Sequence, residues 1–161
     1  MKIAVYGACI CSEEHQKELY EIFKENFKGK DIEILVGASI GCLEAVLRAA
    51  KDNNIKTEIA VMRQYDNTVI NELIDEKKLY DDELERMKYT LEQADCFIAC
   101  DGDLGTYEEV FITWYYIRSN NKKMYIIGKK MQDELTHMIG EEIITRKYKE
   151  KLIFVKDKIN I

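Results

Sequence analysis

The sequence predicts a doubly wound α/β fold, a mainly parallel sheet flanked by helices. Short apolar runs alternate with amphipathic segments along the 161 residues. Several of those runs lack period-two alternation, as expected of strands covered on both faces. The joints between the two kinds of segment are short, and strand–helix alternation with short joints yields parallel strands linked by crossover helices.

The elements follow in order. "KIAVYG" (2–7) reads as a strand. A helix is expected over 13–27, where Leu19, Ile22, Phe23 and Phe27 recur at i, i+3, i+4 and i+8 as an apolar stripe. "IEILVG" (32–37) is a strand, followed by a helix over 41–53 and a strand at "TEIAV" (57–61). A helix over 80–93 precedes the strand "DCFIAC" (95–100), and another over 106–119 follows it. "KMYIIG" (123–128), a helix over 131–148 and "KLIFV" (151–155) complete the pattern. No internal repeat, low-complexity tract or linker interrupts it, so residues 1–161 read as one domain. A chain of this length buries about 70% of its unfolded surface.

Composition narrows the function. The chain is 47% hydrophobic and 34% charged, with a formal net charge of −6. That balance argues against a nucleic-acid surface, which needs a basic footprint, and leaves room for a small anionic ligand held locally. No stretch approaches the ~20 apolar residues that span a membrane. Met1 and Lys2 run straight into "IAVYG" without the apolar core or cleavage site of a signal peptide, so the expected location is the cytoplasm. Cys9, Cys42, Cys96 and Cys100 lie in or beside apolar runs, where free cysteine behaves as a small hydrophobe. Cys9 and Cys11 are two apart, but no second Cys/His pair stands at zinc-ligand spacing. His15 and His137 are isolated and read as structural. No metal and no cofactor is expected.

Three strand-to-helix joints carry glycine in a chain with eight glycines and no proline. Gly7 precedes "ACICSEE", Gly37 and Gly41 flank Ser39 in "GASIGCLEA", and Gly102 and Gly105 lie in "ADCFIACDGDLGTYEEVF" (94–111). Ligands of doubly wound folds bind beyond the carboxyl ends of the strands. Glycine permits close backbone approach there, and a following helix N-terminus offers unpaired N–H groups to an anion. Three such joints on one sheet edge point to a phosphate-bearing ligand. In the last of them, Thr106 and Glu109 have capping-box spacing, in which Thr106 caps the helix and Glu109 folds back onto its first N–H. Glu108, Arg86 and Lys88 are then surface charges. The helix that follows holds Phe111, Trp114, Tyr115, Ile117 and Arg118, either as core or as a subunit interface.

Two stretches also carry a family resemblance. "ERMKYTLEQADCFIACDGDLGTYEEVFITW" is similar to the "ERK…SDAFIALPGGxGTxxEE…W" signature of the Lonely Guy (LOG) family, once labelled possible lysine decarboxylases. The spacing from Arg86 through Asp95 to Gly105, Thr106 and Glu109 matches without a gap. "VGASIGCLEAVLRAA" resembles the family's "TGGGPGIMEAANRGA", with Gly37, Gly41, Glu44 and Ala45 in place. The resemblance implies a Rossmann-like homodimer that hydrolyses the N-glycosidic bond of nucleoside 5′-monophosphates to free base and ribose 5-phosphate. By resemblance Arg86 and Glu109 are the catalytic pair, and Gly102, Gly105 and Thr106 the loop that wraps the phosphate. With Gly7, Gly37, Ser39, Gly41 and Asp103 they make up the expected substrate-binding set. The implied partner is a small nucleotide or nucleoside.

This sequence departs from the family pattern at several points. The family's Pro-Gly-Gly is Asp101-Gly102-Asp103 here, its Arg-Lys pair is Arg86-Met87, and its triple glycine is Gly37-Ala38-Ser39. An aspartate at 103 sets a negative charge where backbone should approach phosphate. At ~4 Å two like charges repel by about 1 kcal/mol in water and about four times that near a protein surface. Two alternatives stay open. SLOG sensor domains resemble these enzymes and bind nucleotide-derived signals without necessarily cleaving them. Nucleoside 2-deoxyribosyltransferases are similar in "D…GTxxE", use a glutamate nucleophile, and take unphosphorylated nucleosides. Arg86 with Glu109 favours the first reading; Asp101 and Asp103 favour the others.

Overall fold

The apolar runs become strands because both their faces are covered. In β1 (Lys2–Tyr6), Ile3 and Val5 point to one side of the sheet while Ala4 and Tyr6 point to the other. The computed structural model describes residues 1–141 and 146–160. Its further strands are β2 (Glu33–Val36), β3 (Lys56–Met62), β4 (Glu76–Tyr80), β5 (Cys96–Ala99), β6 (Met124–Ile126) and β7 (Leu152–Phe154). Among the described residues they form one seven-stranded sheet in the order β4-β3-β2-β1-β5-β6-β7, parallel throughout. This is an α/β, Rossmann-like fold.

The helices are α1 (Glu13–Phe27), α2 (Cys42–Asp52), α3 (Glu83–Gln93), α4 (Leu104–Ile117) and α5 (Lys129–Gly140). Helices α1 and α2 supply Leu19, Phe23, Phe27, Val46 and Leu47 to the core on one face. The other face is covered by Leu91 of α3, Val110, Trp114 and Ile117 of α4, and Met131, Leu135 and Ile139 of α5. Helix α1 starts where the Ser12 Oγ accepts a hydrogen bond from the His15 N–H at 3.2 Å. Its expected stripe is buried at Leu19, Phe23 and Phe27.

The chain lays strands outward from β1 to β4, then returns to place β5 on the other side of β1. That reversal is the switch point at which such sheets open a crevice. Val5 pairs with Val36 and Tyr6 with Ala99, so β2, β1 and β5 end side by side. The joints at Gly7, Gly37 and Gly102 therefore open at the same edge.

Three elements differ from the sequence reading. Strand β4 was absent from it, because "EKKLY" is an edge strand with three exposed charged residues and no apolar run. Charged side chains on an edge strand block pairing with a further chain. The helix expected over 80–93 starts at Glu83, since Asp82 caps it by accepting from the Glu85 N–H at 2.9 Å. The helix expected over 131–148 is α5, which ends at Gly140. Residues 142–145 of that span lie outside the described residues, and Arg146–Lys151 forms a 3-10 turn. No described helix is long and apolar enough to cross a membrane.

Candidate active site

A cleft of about 470 Å³ opens at the carboxyl edge, lined by Gly7, Gly37, Arg86, Asp103, Gly105, Thr106 and Glu109 of the expected set. Arg86 reaches it from the first turns of α3. Only 7% of the residue is exposed. Its Nη2 donates to Glu109 Oε1 at 2.9 Å, and its Nε donates to Glu83 Oε1 at 2.9 Å. Nη2 also bonds Glu83 Oε1. Arg86 is thus no surface charge but a guanidinium held between two carboxylates. Burial alone would lower its pKa, but the bonds and charges of Glu83 and Glu109 outweigh that and raise it, so it stays charged.

Gly37 makes room for this pair. A Cβ built there would lie 2.5 Å from Arg86 Nη1 and 3.2 Å from Glu109 Oε1. Any side chain at the end of β2 would push the guanidinium off the carboxylate.

Glu109 does not close a capping box. Helix α4 begins at Leu104 with Asp103 in the cap position, and Asp103 makes no side-chain cap bond. Thr106 sits inside the first turn, 3% exposed, with its side chain filling the space left by the missing Cβ of Gly102. The Glu109 carboxylate turns to Arg86 because a charge-assisted hydrogen bond to a buried guanidinium outweighs one to a helix N–H. Burial raises the carboxyl pKa of Glu109 above its ordinary value; Arg86 pulls it back in part, and Glu83 and Glu108 add to the rise.

The remaining expected residues separate. The Ser39 Oγ accepts from the Ile70 N–H at 2.7 Å, so it anchors the segment that carries the 3-10 turns 63–68 and 71–73. Gly41 has φ of +64°, and its backbone lies against the Ala8 and Cys9 backbone, where a side chain would collide. Ser39, Gly41 and Gly102 shape the walls rather than line the cleft. Asp101 faces away. Its Oδ1 accepts from the Met131 N–H at 2.9 Å and caps α5, so of the two unusual aspartates only Asp103 borders the cleft.

Sequence reading missed Glu83, Cys9, Met62 and Tyr65 as lining residues. The i, i+3 spacing of Glu83 and Arg86 was the available signal for the first; the others come from loops and a strand end with no motif. Among the described residues, Glu83, Asp103, Glu108 and Glu109 line the cleft beside one cation, Arg86.

A family model described as possible lysine decarboxylase matches residues 37–161. No curated protein matches the chain in sequence. The molybdenum cofactor carrier protein of Chlamydomonas reinhardtii has a similar fold, with a TM-score of 0.69 at 15% identity over 97% of this chain and 89% of that one. The molybdenum cofactor binding protein of Rippkaea orientalis gives 0.66 at 15% identity, over 97% and 88%. DNA processing protein A of Streptococcus pneumoniae gives 0.64 at 15% identity, covering 97% of this chain and 58% of that one. At these identities the likeness is one of fold alone. The chain belongs to the possible lysine decarboxylase family, the LOG-like group whose motifs it resembles.

Proposed function

We propose that the cleft binds a nucleoside 5′-monophosphate and hydrolyses its N-glycosidic bond. The observation that carries this reading is the Glu109–Arg86 pair, buried in the switch-point crevice beside the first turn of α4. As the bond to the base breaks, its electron pair leaves with the base nitrogen and positive charge grows at the ribose C1′. A carboxylate in a water-poor site stabilises that charge. Water adds at C1′ and gives its proton to Glu109, which returns it to solvent, while the departing base nitrogen takes up one proton from solvent. Arg86 fixes the carboxylate. Its Nη1, beside Gly37, makes no hydrogen bond among the described residues and is free to hold a sugar or phosphate oxygen. Gly105 and Thr106 line the cleft from the first turn of α4, where backbone N–H groups lack intrahelical acceptors and favour an anion. Incubation with a panel of nucleoside monophosphates tests the proposal through release of free base. With Glu109 raised, the rate should climb with pH through a value above that of an ordinary glutamate.

The carboxylates around Arg86 favour a second reading, in which the ligand is an unphosphorylated nucleoside or a nucleotide-derived signal that is bound and not cleaved. Asp103→Gly separates the two. If Asp103 opposes a 5′-phosphate, its removal tightens monophosphate binding about tenfold for each ~1.4 kcal/mol of repulsion lost. The gain shrinks with salt, and nucleoside binding barely changes. Weaker binding of every ligand alike would make Asp103 a recognition element and favour the second reading.

A homodimer is also proposed. In α4, Trp114 and Ile117 are core residues, but Phe111 and Tyr115 are exposed, Tyr115 by 68%. With Trp114, Arg118 and Tyr148 they border an apolar groove. Sedimentation should show a dimer at tens of micromolar that Tyr115→Asp dissociates. A wild-type monomer at that concentration contradicts the proposal.

A further inference from the structure

Behind the loop between β1 and α1, three side chains meet that the proposed reaction does not use. The Sγ atoms of Cys11 and Cys42 are 3.1 Å apart. These sulfurs and a ring nitrogen of His15 all lie within 4.8 Å of one another. The fold assembles them from two places. The Ser12 cap sets His15 in the first turn of α1, one turn after Cys11. The backbone turn at Gly41 and the bond from the Cys42 N–H to the Ala8 carbonyl, 2.9 Å, bring the first residue of α2 against the same loop.

His15 supplies a second observation. Its Nε2 is buried and has no hydrogen-bond partner, while its Nδ1 lies 3.4 Å from Glu18 Oε2. A buried polar atom without a partner is rare and calls for an explanation. If Nδ1 donates its proton to Glu18, Nε2 carries the lone pair that a metal ligand needs. A carboxylate behind a histidine is the usual support of a metal ligand.

We infer that Cys11, Cys42 and His15 form a binding site for one zinc ion, with a fourth position open to water. Zinc takes thiolate sulfur at about 2.3 Å and imidazole nitrogen at about 2.0–2.1 Å in a tetrahedron, which sets two sulfurs about 3.8 Å apart. Side-chain movements of about an ångström reach that spacing from the one observed. Cys42 is buried, whereas Cys11 and His15 are partly exposed, so an ion enters from their side. Burial first, and the adjacent Cys11 second, push the Cys42 thiol up to about 12. Zinc binds thiolates, so the ion displaces the thiol protons as it enters; two protons leave, no electrons move, and affinity falls in acid. Oxidation to a Cys11–Cys42 disulfide is the competing use of the sulfurs, but it leaves His15 Nε2 without a partner. Zinc engages all three groups.

The test is titration of the reduced, chelator-treated full chain with zinc against a chromophoric chelator, repeated with cobalt(II) as the spectroscopic probe. One ion should bind per chain, with release of two protons and a thiolate-to-cobalt charge-transfer band. Cys11→Ser and His15→Gln should each weaken binding by about 100-fold or more, and Glu18→Gln by about tenfold. Cys9→Ser, at a neighbouring thiol outside the cluster, should leave zinc affinity unaltered. Cys11 and His15 are chosen over buried Cys42 so that the variants keep the fold, which circular dichroism checks. Absence of stoichiometric binding, full affinity in His15→Gln, or an equal loss in Cys9→Ser would overturn the site.

Discussion

Glu109→Gln is expected to lower base release by about 10²–10³-fold or more, the loss typical when a group that stabilises transition-state charge is removed. The substitution keeps the size and shape of the side chain, and its amide oxygen still accepts from Arg86 Nη2. The guanidinium also retains Glu83, so no buried charge is orphaned. A lost charged hydrogen bond costs about 1.5–3 kcal/mol at most, and relief of the carboxylate's desolvation offsets part of that. Thermal unfolding should therefore remain cooperative while chromatography finds almost no free base. Undiminished turnover would assign the chemistry to another carboxylate, with Glu83 and Glu108 next in line.

Arg86→Met is expected to cost more stability than any other change at the site. It leaves Glu109 buried without its counter-charge, and breaking a buried pair by removing one partner costs about 3–5 kcal/mol. The loss should depend on pH in a defined direction. Glu109 is already raised above 4.5 by burial, with Arg86 the main force lowering it, so the variant raises it further. Between the unfolded value and that raised folded value, the native state binds more protons than the unfolded state. Stability then falls as pH rises through the window and is lowest above it. Denaturant unfolding at neutral pH should show the full difference from wild type, and near pH 4 most of it should vanish. An equal deficit at both pH values would mean that Arg86 stabilises through packing alone.

The sheet and its glycine joints were legible because their causes are local. A strand buried on both faces needs an apolar run, and a backbone that passes beside a guanidinium, as at Gly37, needs the smallest residue. Strand β4 was illegible for the converse reason: at a sheet edge its charged residues carry no apolar signal. The spacing of Thr106 and Glu109 suited a capping box and an active site equally. The position of α3 brings Arg86 to Glu109 across 23 residues, so the carboxylate pairs with the guanidinium and leaves the box unclosed. Asp101 and Asp103 look alike in sequence, but one serves the N-terminus of α5, and that depends on where β6 delivers the next helix. Ser39 resembled a ligand-loop residue, yet its hydroxyl is taken by Ile70. Cys11 and His15 have helical i, i+4 spacing, but Cys42 joins them from 31 residues away, beyond the reach of a spacing rule.

Glu109, held by Arg86, is proposed to act on the glycosidic bond of a phosphorylated nucleoside. The most direct test is to incubate the wild-type protein with matched pairs of nucleoside and nucleoside 5′-monophosphate for each base, and to quantify free base and ribose 5-phosphate by chromatography. At least one monophosphate should yield both products in equal amounts, its parent nucleoside should react far more slowly, and Glu109→Gln should yield almost none of either. Tight binding of a nucleotide with no base released over hours, or release from nucleosides alone, would contradict the proposal.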